Sequence, residues 1–287
     1  MSHRPRPALP RALTVLTLCG ALALGGCSGS GGNPDTADGD GPAPTGEVVL
    51  PTPGMSFDYQ IGGAYPPPEG VRAVSRDRGA KPAPGLYNLC YVNAFQAQPD
   101  ATGWWEEHHP DLLLRDGGRD GGLVVDQDWD EALLDISTPA KRERLAEVVG
   151  AWIDGCADAG FQAVEADNLD SHLRSAGLLT AADDLAFAAL LVERAHTAGL
   201  AIGQKNAADL AGKGRALGFD FAVAEECGQY DECGSYATAY DDRVFDIEYE
   251  RAGLAAACRD WGDRLSVVLR DVDVTPEGAP GHERRTC

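Results

Sequence analysis

The segment FQAVEADNLDSH, residues 161–172, closes a short apolar run with acidic and amide side chains: Glu165, Asp167, Asn168 and Asp170. Gathered carboxylates raise one another's pKa values and cost stability, so a fold gains nothing structural from them. The pattern recurs along the chain. Tyr91 and Asn93, Asp135, Lys205 and Asn206, Glu225 and Glu226, Asp246 and Glu248, and Arg270 and Asp271 each finish a strand-like run. Hydrolysis of a glycosidic bond needs such a set: one protonated acid to help the leaving oxygen depart, and one ionised carboxylate as nucleophile or base. Crowding keeps one carboxyl protonated near neutral pH while its neighbour stays charged, and a lysine such as Lys205 can hold that neighbour ionised. The chain contains no Cys-x-x-Cys or His-Glu-x-x-His pattern, and His108–His109 has no partners at ligand spacing, so neither a metal nor a cofactor is expected.

These side chains need elements to hold them. Eight runs have strand character: SFDYQI, LYNLCYVN, ALLDIS, FQAVEAD, LAIGQKN, FDFAVAEE, RVFDIEY and LSVVLRD. Between most of them lie helical patterns. Leu145, Val148, Val149, Trp152, Ile153 and Cys156 form one apolar stripe, which predicts a helix from Pro139 to Ala159 capped by Thr138 and ended by Gly160. Thr180 and Asp183 make a capping-box pair for a second helix running to about Gly199. Further helices are expected near Ala207–Leu217 and Arg251–Trp261. Alternation of this kind requires parallel strands joined by crossover helices. Eight strands in roughly 235 residues predict a (β/α)₈ TIM barrel, whose mouth lies where the strands end. The first crossover, PPPEGVRAVSRDRGAKPAPG, is Pro-rich and reads as carrying little helix.

Ahead of the barrel the composition changes. Arg4, Arg6 and Arg11 precede the run ALTVLTLCGALAL, which ends in Leu24-Gly25-Gly26-Cys27. Residues 1–26 therefore read as a signal peptide, and Cys27 as the lipidated first residue of a bacterial lipoprotein. Residues 27–54 are rich in Gly, Ser, Pro and Thr and read as a flexible tether, leaving 55–287 as one catalytic domain. The net charge of −21 becomes three units more negative once the leader arginines are gone. Such a surface repels nucleic acid and anionic lipid and collects cationic ligands. Membrane contact is expected only through the lipid, and the protein is expected to act as a monomer. Six cysteines remain after Cys19 and Cys27, an even count that suggests disulfides in an exported chain. Cys227–Cys233 is the first candidate pair, Cys258–Cys287 the second.

GFQAVEADNLDSH, GLAIGQKN, FDFAVAEECGQYDEC and VFDIEY occur in an order and spacing that resemble glycoside hydrolase family 114, the endo-α-1,4-polygalactosaminidases. The resemblance spans roughly Tyr87 to Tyr249. It implies a (β/α)₈ barrel that cleaves α-1,4-linked galactosamine polymers, with catalytic carboxylates at Asp167 and Glu225. Tyr91, Asp135, Glu165, Asn168, Lys205, Asn206 and Glu248 are then expected to bind substrate, a polysaccharide that includes cationic amino sugars. The chain departs from the family at Ala166, Ala224 and Glu226, where Pro, Asn and Gln are usual, and in YVNAFQAQPD; it reads as a divergent bacterial branch.

Strand alternation puts Glu165 on the face of Asp167, one layer below it. It also puts Glu225 with bulky Phe219, Phe221 and Val223, a face that would suit the helix layer and so favour Glu226 as the inward acid. Trp104, Trp105 and Trp129 are candidate sugar-stacking platforms. Tyr91 and Tyr249 are placed to hydrogen-bond substrate or a catalytic carboxylate. The rival reading is a non-catalytic polysaccharide-binding envelope lipoprotein of the same fold.

Overall fold

The computed structural model describes residues 47–117 and 121–287. The expected signal peptide, Cys27 and the tether up to residue 46 lie outside the described residues.

In chain order the first elements are β1 (Phe57–Tyr59), β2 (Ala73–Asp77), β3 (Tyr87–Asn93), β4 (Gln96–Ala97), α1 (Thr102–His108), β5 (Val125–Asp126) and β6 (Glu131–Leu133). Strands and helices then alternate: α2 (Pro139–Ala159), β7 (Ala163–Asp167), α3 (Ala181–Thr197), β8 (Ala201–Lys205), α4 (Ala211–Leu217), β9 (Phe221–Glu225), α5 (Cys227–Tyr230), α6 (Cys233–Tyr240), β10 (Val244–Glu248), α7 (Arg251–Trp261), β11 (Ser266–Arg270) and β12 (Arg284–Thr286). The main sheet runs β1-β2-β3-β7-β8-β9-β10-β11-β12, parallel until β12 returns antiparallel along β11. It curls until its ends meet. Arg284 Nε donates to Asp58 Oδ1 at 2.9 Å and its other terminus to Phe57 O at 3.0 Å, so side chains form the seam.

The helices begin where the sequence signals put them. The Thr138 side chain accepts from Lys141 N at the start of α2, and Gly160 ends that helix at φ 92°. Thr180 and Asp183 form a reciprocal capping box at α3. Two strand assignments are corrected. ALLDIS is not a barrel strand: β6, which takes its first residues, pairs antiparallel with β4 and β5 in a small separate sheet. The missing eighth parallel strand is β2, inside the Pro-rich crossover, where it pairs with β1 and β3.

Two apolar layers result. Phe57, Tyr59, Ala73, Tyr87, Leu89, Ala163, Ala201, Phe221, Val223, Phe245 and Ile247 fill the barrel interior. Val92, Val164, Ala166, Ile202, Ala222, Ala224 and Val244 face the helices. Small and large residues complement one another inside: a Cβ on Gly203 would lie 2.4 Å from the Phe221 ring. Below the strands, Val48 and Met55 pack against this interior, and Tyr87 Oη donates to Val49 O at 2.7 Å.

Three disulfides staple the layers. Cys227–Cys233 and Cys258–Cys287 pair as expected, the latter tying the C-terminus to α7. Cys90–Cys156 joins β3 to α2.

Candidate active site

The inward face of each strand turns polar at its upper end. Phe57 and Tyr59 share a face on β1, and the column Ala163, Glu165, Asp167 continues upward on β7. On β8 the column is Ala201, Gly203, Lys205. On β9, Phe221 and Val223 lie in the interior while Ala222 and Ala224 face helices, so Glu225 is the inward acid. This resolves the parity question against Glu226, which begins the next turn at φ 60°. Bulky side chains fit inside because Ala163, Ala201 and Gly203 opposite them are small.

Lys205 is the hub. Its Nζ lies 3.0 Å from Glu165 Oε1, 3.3 Å from Asp167 Oδ1 and 3.6 Å from Glu225 Oε2, with the lysine 2% exposed. Burial works against the ammonium, but Asp167, Glu225 and Glu165 outweigh it and hold its pKa well above the ordinary lysine value. One cation thus faces three carboxylates. Glu165, fully buried, accepts from Tyr59 Oη at 2.8 Å and Ser75 Oγ at 2.6 Å. Burial raises its pKa, with Lys205 opposing.

Asp167 and Glu225 sit above this layer and reach the opening. Tyr91 Oη donates to Asp167 Oδ2 at 2.7 Å, and Asn168 N to Oδ1 at 2.8 Å. Asn206 Nδ2 donates to Glu225 Oε2 at 2.9 Å, while Tyr249 Oη donates to Oε1. Asn206 also accepts from Glu225 N, which locks the end of β9 to the end of β8. Burial first, and the nearby anions second, push the Tyr59, Tyr91 and Tyr249 phenols up, so all three remain proton donors. Asn168 and Asn206 occupy left-handed backbone at φ 69° and 51°, a conformation asparagine tolerates better than most side chains.

A second network borders Asp167. Asn168 Nδ2 donates to Asn93 Oδ1 at 3.0 Å and lies 3.4 Å from Glu131 Oε2. Arg174 reaches Asn168, Asp170 and Asp126. Burial pushes the Glu131 carboxyl up to about 7, and the fields of Asp167 and Asp126 add to the rise.

Most of the expected site residues therefore converge: Tyr91, Glu165, Asp167, Asn168, Lys205, Asn206, Glu225 and Tyr249. Two do not join them. Asp135 follows a strand of the small sheet and is taken up by Ser137 and Lys141 at the start of α2. Glu248 shares the outward face of β10 with Asp246 and accepts from Gly228 N at 2.6 Å. Arg270 and Asp271 bind the C-terminal tail through Thr275 and Glu283. Of the tryptophans, Trp105 is buried against Trp152, whereas Trp104 and Trp129 are exposed. Tyr59, Ser75 and Glu131 were not anticipated. Tyr59 alone carried a signal, as an aromatic with a polar tip inside a strand run.

The curled parallel sheet with helices packed on its outer face is that of a (β/α) barrel, with a lysine shared by two carboxylates at its mouth. A family model described as glycoside-hydrolase family GH114 matches residues 39–287, and the chain belongs to that family. Among solved structures, Ega3 from Aspergillus fumigatus, in complex with galactosamine, is similar with a TM-score of 0.66 at 22% identity, over 85% of this chain and 99% of that one. The glycoside hydrolase domain of PelA from Pseudomonas aeruginosa is similar with a TM-score of 0.58 at 16% identity, over 79% of this chain and 98% of that one. At these identities the likeness shows the fold. Comparison with curated proteins finds no match.

Proposed function

We propose that this glycoside hydrolase is exported, anchored through Cys27, and cleaves α-1,4-linked galactosamine polymers with Asp167 and Glu225 as its catalytic carboxylates. The observation that carries the reading is the position of Lys205 Nζ, within 3.6 Å of an oxygen from each. Family membership and the galactosamine bound by Ega3 support the substrate. Three disulfides support an oxidising compartment.

In this reading Asp167 is the nucleophile and Glu225 the acid and base. Glu225 donates its proton to the glycosidic oxygen as the bond to the anomeric carbon breaks, and Asp167 closes on that carbon. Glu225, now ionised, takes a proton from water, which displaces Asp167 and releases the sugar. Lys205 and Tyr91 aim Asp167, while Tyr249 and Asn206 orient Glu225. In the same reading Asn168 and Asn206, at the rim, bind sugar hydroxyls alongside their present protein partners. The chain's net charge of −21 suits a polymer of protonated amines.

The test is release of new reducing ends from deacetylated and acetylated galactosamine polymers. Asp167→Asn and Glu225→Gln should each abolish release while the circular dichroism and melting transition persist. Wild-type rates in both variants would refute the assignment. Binding without cleavage by the unaltered protein would favour a receptor instead.

A further inference from the structure

The far side of β10 holds two carboxyls that the mouth does not use. Asp246 and Glu248 alternate with Phe245 and Ile247; the latter two fill the barrel, so the acids turn outward beneath α5 and α7. Both are fully buried. Both Asp246 oxygens and Glu248 Oε2 lack a donor of good geometry. Two ionised carboxylates side by side in such a place would repel one another without solvent to offset it. One proton between them removes the problem, because one carboxyl then donates to the other.

The pair also lies directly behind the turn that carries Glu225. In the ladder Ile247 is opposite Glu225, and Glu226 N donates to Ile247 O at 2.7 Å. Glu248 Oε1 accepts from Gly228 N at 2.6 Å, just past that turn. Tyr249, next in the chain, reaches the Glu225 carboxylate from inside the mouth. The end of β10 therefore grips one turn from both sides. Helix α7 is open at this point: a Cβ on Gly253 would lie 1.9 Å from Glu248 Oε2.

We infer that Asp246 and Glu248 share one proton and act as positioning residues, holding the Glu225 turn from behind. This rests on the proposed role of Glu225. Asp246 is the donor and Glu248 the acceptor, since Glu248 faces the N–H groups of both Gly228 and Gln229 whereas Asp246 faces that of Cys227 alone. The titratable and charged groups facing the pair are Glu226 and Tyr230 beside α5; Gly253 borders it on α7, and the Cys227–Cys233 disulfide lies against Asp246. None of these is a cation. Burial, then the neighbouring Glu248, raises Asp246 well above the carboxylate range, and burial pushes Glu248 up to about 7. Acids raised in the folded state contribute stability that is complete below their unfolded pKa and fades as pH rises through the folded one. The grip therefore loosens on the alkaline side.

The experiment compares the unaltered protein with Asp246→Asn and Asp246→Ala, reading kcat and KM on polygalactosamine and the melting temperature from about pH 5 to 9. An asparagine amide donates to Glu248 at every pH. Asp246→Asn should move the alkaline limb of kcat upward by at least about one pH unit, relative to its own maximum, and flatten the fall in melting temperature. Asp246→Ala, with no donor, should lower kcat at least about tenfold with little change in KM when kcat is expressed per mole of folded protein, the folded fraction being read by circular dichroism. An alkaline limb and melting slope in Asp246→Asn identical to the unaltered protein would overturn the inference. If the unaltered protein cleaves no galactosamine polymer, the functional reading fails, and the melting slopes alone still decide whether the proton is shared.

Discussion

Lys205 Nζ and Glu165 Oε1 form an ion pair 3.0 Å long that is almost wholly out of contact with water. Its position under Asp167 and Glu225 makes it a floor of charge for the two proposed catalytic carboxylates. Replacing Lys205 with Met leaves Glu165 without its cation and Asp167 and Glu225 without a common partner. The expected loss of stability is about 3–5 kcal/mol. Thermal or urea denaturation measures it, and kcat/KM should fall further than the loss of folded protein explains.

Tyr249 Oη donates to Glu225, and Tyr91 Oη to Asp167. A hydrogen bond to a charged group contributes about 1.5–3 kcal/mol and one to a neutral group about 0.5–1.5, so Tyr91→Phe, facing the nucleophile, should slow kcat roughly ten- to a hundredfold and Tyr249→Phe, facing the acid, about two- to tenfold. Circular dichroism should be unchanged. Normal kcat in Tyr249→Phe would show that Glu225 is oriented by other means.

With Asp167 as the proposed nucleophile, the expected stereochemical course is retention. An oxygen of Asp167 and one of Glu225 lie 3.3 and 3.6 Å from the same Nζ, so they cannot be farther apart than those lengths laid end to end, 6.9 Å. That bound admits the retaining spacing. Retaining enzymes place their carboxyls about 5–5.5 Å apart and inverting ones about 6.5–9.5 Å. Proton NMR of the first-formed product should show the α-anomer. A first-formed β-anomer would mean that water, not Asp167, attacks.

Glu131 provides a pH signature at the rim. Burial raises its carboxyl to about 7, so its favourable contribution is complete below the ordinary carboxylate pKa and fades as pH rises through 7. Between about pH 4.5 and 8 the loss is on the order of 3 kcal/mol. Glu131→Gln should therefore melt at a temperature that varies less with pH than the unaltered protein does. An equal slope in both would exclude Glu131 as the source.

Much of this architecture was legible because it is local. The stripe from Leu145 to Cys156 and the Thr180–Asp183 box fix α2 and α3 without reference to the rest of the chain. Strand identity was less legible. ALLDIS alternates like a barrel strand, yet Gln96 and Ala97 capture its start in a small antiparallel sheet. The run AVSRD of β2 is short, polar at its end and enclosed by Pro and Gly, so only its pairing with β1 and β3 reveals it. Facing was the least legible property. Alternation separates Glu225 from Glu226 but cannot say which set turns inward; that depends on small residues in other strands, such as Gly203 beneath Phe221. Glu248 was misplaced for the same reason.

The contact between Tyr87 and Val49 has a geographical consequence. Tyr87 opens β3, so Val49 lies at the foot of the strands, whereas Asp167 and Glu225 lie at their heads. The first described residues thus pass beneath the strands. A ligand lying across the top would therefore keep clear of Val48 and Val49.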